Sequence, residues 1–143
     1  MGSKPTRTMT KIESQKVTVA ASAEEVFNYV NDANNFEGLL PPDRIENWRS
    51  DQDSFRFKIK NVTEIGFRKK QADPPGYLQL ESDESAPFAL TLNIHIKAIG
   101  DNQCEAQQII EADINPFLKM MVEKPLTNLF DYIARRLSEE FAH

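Results

Sequence analysis

From Arg44 to Ile114 apolar and polar residues alternate in short runs, a two-residue period that predicts strands separated by turns. Phe55, Phe57 and Ile59 alternate with Arg56, Lys58 and Lys60. The segment from Val62 to Lys70 follows, with Ile65 and Phe67 on its apolar side. Asp73-Pro74-Pro75-Gly76 predicts a turn, and Tyr77 to Asp83 then places Leu78, Leu80 and Ser82 on one face. The longest alternation runs from Phe88 to Ile99. Phe88, Leu90, Leu92, Ile94 and Ile96 point one way, and Ala89, Thr91, Asn93, His95 and Lys97 point the other. After a turn at Gly100-Asp101-Asn102, Gln103 to Ile114 returns with Ala106, Gln108, Ile110 and Ala112 on its smaller face. Weaker runs at Arg44 to Ser50 and Lys11 to Ala20 bring the expected strands to seven.

Helical spacing flanks this block. Ser22 stands three residues before Glu25, the capping-box spacing, and Val26, Phe27 and Val30 follow on one face. Asp32 can cap a second short helix carrying Phe36, Leu39 and Leu40, which Pro41-Pro42 must end. Asn115-Pro116 opens the last helix, with asparagine at the cap and proline at the first turn. Leu126, Leu129, Phe130, Ile133, Leu137 and Phe141 form its apolar stripe, and Phe117, Met120 and Met121 extend it upstream. The prediction is one α+β domain over residues 11–142, a curved antiparallel sheet wrapped around a long C-terminal helix. Residues 1–10 are expected to be a disordered or tag-derived lead, with Met1 and Met9 both open as the native start.

Composition narrows the function classes. At 143 residues, 40% hydrophobic and 27% charged, the chain can bury one core. Its net charge of −5 lacks the overall basic footprint of a nucleic-acid binder. Cys104 is the single cysteine, so no internal disulfide can form, and a cytoplasmic location is the expectation. No run reaches the roughly 18 apolar residues of a membrane span, so stable membrane insertion is not expected.

The element order resembles the START-like superfamily, also called SRPBCC or Bet v 1-like, and within it the bacterial polyketide cyclase/dehydrase-like branch. The resemblance rests on Val17 to Phe27 (VTVAASAEEVF), on the Ala72 to Gly76 turn (ADPPG) and on the stripe from Phe117 to Phe141. It implies a helix-grip fold enclosing a cavity. It leaves activity open, because such domains serve as lipid carriers, receptors, cyclases and partner-binding proteins.

With the apolar faces inward, the expected cavity wall is Phe55, Phe57, Ile65, Phe67, Leu80, Leu90, Leu92, Ile94 and Ile110, closed from the helix by Phe117, Met120 and Met121. Thr63, Ser82 and Gln108 are the inward polar residues, and Gln108 can fix a carbonyl or hydroxyl. A packed core explains the same residues. General acid–base chemistry needs a titratable group near substrate. His95 falls on the outer face, His143 ends the chain, and Glu105, Glu111 and Asp113 share an outer strand face. Cys104 reads as a buried or edge thiol. The sequence contains no metal-ligand cluster or phosphate loop, so no cofactor is expected.

The leading expectation is non-catalytic binding or transport of a small hydrophobic molecule, lipid or polyketide-like. A cyclase or dehydratase-like enzyme is the first alternative. A protein-interaction module is the second, because Arg56, Lys58 and Lys60, with Arg68, Lys69 and Lys70, could offer a basic patch to an acidic partner. The solvated side of a strand accounts equally for that patch.

Overall fold

A computed structural model describes residues 9–142. Eight antiparallel strands form one sheet: β1 (Met9–Glu13), β2 (Val17–Val19), β3 (Ile45–Ser50), β4 (Ser54–Ile59), β5 (Thr63–Asp73), β6 (Tyr77–Ser82), β7 (Ala89–Gly100) and β8 (Gln103–Asp113). From β3 to β8 each strand pairs with the next in sequence, as short turns favour. The first segment closes the other edge, with β1 and β2 both pairing with β8.

The sheet has eight strands where seven were expected, because Lys11 to Ala20 is broken in the middle. Ser14 turns inward at the break and is buried. Its hydroxyl accepts from the Gln108 amide at 3.0 Å, and its own amide donates to the Gln108 carbonyl at 2.9 Å. Met9 and Thr10, assigned to the lead, instead belong to β1, opposite Asp113 and Ala112. The rest of the lead lies outside the described residues.

Between β2 and β3 come α1 (Ala23–Asn31) and a short 3-10 helix (Ala33–Leu39). Ser22 and Glu25 form the capping box that their spacing predicted, and Asp32 caps the second helix through the Asn34 amide. The last helix, α2 (Pro116–Glu140), is capped by Asn115 and runs unbroken through Pro125. Val122, Leu126, Leu129, Phe130, Ile133 and Leu137 bury one face of it against the sheet. This is the helix-grip arrangement: a curved antiparallel sheet wrapped around a long C-terminal helix.

The core sits between the sheet's inner face and the three helices, and Phe27, Phe36, Phe57, Phe67 and Phe130 are its largest fully buried side chains. Each such side chain contributes about 1.5–3 kcal/mol by leaving water. Most strand faces follow the predicted alternation, with exceptions at Gly66 and Asn93, both buried. Asn93, on the outer face of β7, is buried beneath Tyr77 and Gln79 and accepts hydrogen bonds from both.

Candidate functional site

The residues expected to line a cavity divide into two groups. Phe55, Phe57, Ile65, Phe67, Leu80, Leu90, Leu92, Ile94 and Ile110 all face inward and share one hydrophobic cluster. Three of them, Phe55, Phe57 and Phe67, are tied together with neighbouring rings. Phe55 stacks on Phe36 at 4.7 Å between centroids, lies 6.0 Å from Phe57 and 5.6 Å from Phe67, and Trp48 covers it at 5.4 Å. These aromatics fill the interior with side chains.

Phe117, Met120 and Met121 do not close a cavity. They are 69%, 83% and 58% exposed, on the side of α2 turned away from the sheet. The upstream turns carry the apolar stripe forward through Leu118 and Val122 instead.

Gln108 does point inward, as expected. It is buried, and its amide nitrogen donates to the Phe130 carbonyl of α2 at 3.2 Å. Its side-chain oxygen has no hydrogen-bond partner among the described residues. Beside it lies a void of about 10 Å³ bounded by Val30, Phe36, Leu39, Ile94 and Ile133. That is room for about one water molecule. Thr63 and Ser82 are half-buried, and Ser82 accepts from the Leu90 amide.

The larger concavity lies elsewhere, in a groove of about 550 Å³ between α2 and the chain segments 41–44 and 59–62. Its construction is local. Leu40 and Pro41 are buried at the end of the 3-10 helix, and the chain turns back as the Arg44 amide donates a hydrogen bond to the Pro41 carbonyl. The Lys60 amide then donates to the Arg44 carbonyl at 2.9 Å, which sets these two cationic residues side by side. Asn61 takes φ 64° in the β4–β5 turn, a conformation that asparagine tolerates better than most residues. Opposite them, α2 presents Lys124, Pro125, Asn128, Leu129 and Tyr132. The Arg135 guanidinium sits 5.1 Å from the Tyr132 ring centroid and steadies it.

The groove therefore has an apolar floor, Ile59 and Leu129, both buried and continuous with the core. Its rim carries Arg44, Lys60 and Lys124 against one carboxylate, Asp43. Among the described residues none of those three cations lies within 4.0 Å of an acid.

The cations of β4 and β5 are paired. Arg56 meets Asp83 at 3.0 Å and Glu84 at 3.3 Å, Lys58 meets Glu46, Arg68 meets Glu81 and Glu84, Lys69 meets Asp53, and Lys70 meets Glu81. The expected basic patch is thus largely neutralised within the molecule, leaving Lys60, which belongs to the groove.

No titratable side chain lines the small void, whereas Asp43, Arg44, Lys60, Lys124 and Tyr132 line the groove. His95 is exposed on the outer face against Tyr77, as predicted. Cys104 is buried, and burial pushes its thiol up, away from a reactive thiolate. In the groove, Asp43, Lys60, Lys124 and Tyr132 make no hydrogen bond or ion pair with one another among the described residues. No group of three or more His, Cys, Asp or Glu residues that could hold a metal occurs among the described residues.

This architecture has known counterparts. Truncated norcoclaurine synthase from Thalictrum flavum superposes with a TM-score of 0.72, at 16% identity, over 96% of each chain. A START superfamily protein from Mycobacterium smegmatis gives 0.66 at 15% identity, over 93% of this chain and 96% of that one. The chain has the START-like, Bet v 1-like fold. The protein XoxI from Bacillus cereus shares it, with a TM-score of 0.68 at 13% identity over 94% of each chain. No protein-family model matches the sequence, and no curated protein matches it. At these identities the likeness is one of fold.

The sequence did not single out the groove. Lys60 was read as part of a strand face, and Arg44 and Lys124 carried no motif. What makes them a set is the approach of three distant segments, which no local pattern announces.

Proposed function

We propose that this protein binds or carries a small amphipathic molecule, with an apolar body and an acidic group, and does no chemistry on it. The supporting observation is the groove beside α2, about 550 Å³ in volume with an apolar floor and three rim cations that make no ion pair among the described residues. That volume falls within the range of roughly 300–1,000 Å³ usual for small-molecule sites. Ile59 and Leu129 would take the apolar body, while Arg44, Lys60 and Lys124 would meet the acidic group. Gln108 and the inner aromatics stand behind this floor, where α2 would have to shift before a ligand could reach them. The cyclase-like alternative draws little support, because the groove's titratable side chains form no mutual hydrogen-bonded pair.

Oleate and its uncharged counterpart, oleyl alcohol, provide the test by displacement of a fluorescent fatty acid. Oleate should bind, the alcohol should bind more weakly, and Lys60→Ala with Lys124→Ala should weaken oleate about tenfold or more while leaving the alcohol nearly unchanged. Failure of every acidic amphiphile tried to displace the probe or raise the melting temperature would sink the proposal.

A further inference from the structure

The first turns of α2 expose an apolar face that neither the core nor the groove uses. Phe117, Met120 and Met121 recur at helical spacing with Lys124, so all four lie on one side of the helix. Met120 is 83% exposed, the highest value among the exposed large hydrophobic side chains of the described residues. Val62, also exposed, stands across the groove from Lys124. Among the described residues Phe117, Met120, Met121 and Val62 are four of the six exposed large hydrophobic side chains.

On the groove beside this face three cations, Arg44, Lys60 and Lys124, stand against one carboxylate, Asp43. The protein carries −5, yet Lys124 sits within the apolar face, and Lys60 and Arg44 flank it across the groove. Glu123 lies on the helix flank, off the line of Phe117, Met121 and Lys124. Apolar side chains that project from a helix among lysines are the arrangement of an interfacial helix. The hydrocarbon enters the acyl boundary while each lysine stem lies along it and its ammonium meets headgroups.

We propose that this face of α2, with the adjoining Val62 turn, docks on an anionic lipid surface. A second copy fits the face less well, because two-fold pairing would set Lys124, Lys60 and Arg44 of one molecule against the same cations of the other. The attraction comes from the negative surface of the bilayer acting on these cations. Docked this way, the groove opens towards the lipid. The docking itself does not depend on what the groove binds.

Flotation of the full chain with vesicles tests the proposal. With phosphatidylcholine containing phosphatidylglycerol, the protein should float, and with phosphatidylcholine alone it should float about tenfold less. Replacing Phe117, Met120 and Met121 together by serine should abolish flotation, and Lys124→Glu should reduce it about tenfold. Because these side chains are exposed, the thermal melts of both variants should match the native protein, and the serine variant should keep oleate binding. Equal flotation with both vesicle types, or undiminished flotation of the serine variant, would overturn the proposal. So would concentration-dependent dimerisation that the serine substitutions remove, since it would assign the face to a second copy.

Discussion

Gly66 shows how much one missing side chain can decide. It sits in β5 opposite Arg56, and its carbonyl accepts from the Asp83 amide at 2.8 Å. A Cβ at this position would fall on the Asp83 carboxylate. Burial alone would push that carboxyl up, but the Ser85 hydroxyl and amide, with Arg56, outweigh it and hold Asp83 below the usual carboxylate range. A depressed carboxylate adds stability above its ordinary pKa of about 4, and the contribution is lost as pH falls through the native value. Gly66→Ala should therefore lower stability by about 1–3 kcal/mol in urea unfolding. It should also flatten the loss of stability below about pH 4. Adding Asp83→Ala should make the double variant less unstable than the two separate losses imply, because the clash is gone.

At the scale of elements, caps and periods carry most of the information. Ser22 accepts from the Glu25 amide at 3.1 Å, and Glu25 accepts from the Ser22 amide at 3.3 Å. Ser22→Ala should cost about 1 kcal/mol, against a few tenths for Ser22→Gly, as read from thermal unfolding. The serine's own chemistry, and not its context, made this helix start legible. The strand alternation of β4, β7 and β8 was legible for the same reason, since one face of each meets the core and the other meets water. What failed at this scale was the break at Ser14. A polar residue in a polar-rich strand gives no signal that it will turn inward to bond the Gln108 backbone. Phe117, Met120 and Met121 failed differently. Helical spacing assigned them to a face, but only the position of α2 on the sheet determined that the buried face runs through Leu118 and Val122.

For the whole molecule, the deciding contact joins the sheet to α2. Gln108 reaches the Phe130 carbonyl with its nitrogen and leaves its oxygen unpartnered beside a void of about 10 Å³. Gln108→Ala should destabilise by about 1–3 kcal/mol, since it enlarges the void and removes the bond. Gln108→Met keeps the length and removes the orphaned oxygen, so its urea midpoint should stay near that of the native protein. A large loss in the methionine variant would show that the hydrogen bond, and not the packing, fastens the helix. The ion pairs follow the same logic at long range. Lys58 and Lys60 look alike in the sequence alternation, yet one meets Glu46 while the other faces the groove. The sequence by itself determined the order of elements, the helix starts and the inward faces of the strands, because each follows from residues within a turn or two of one another. The tertiary structure decided that aromatic rings fill the interior, that a groove opens beside α2, and which cations remain free. Those outcomes depend on segments far apart in sequence and on side-chain volumes summed across them, which a local pattern does not encode.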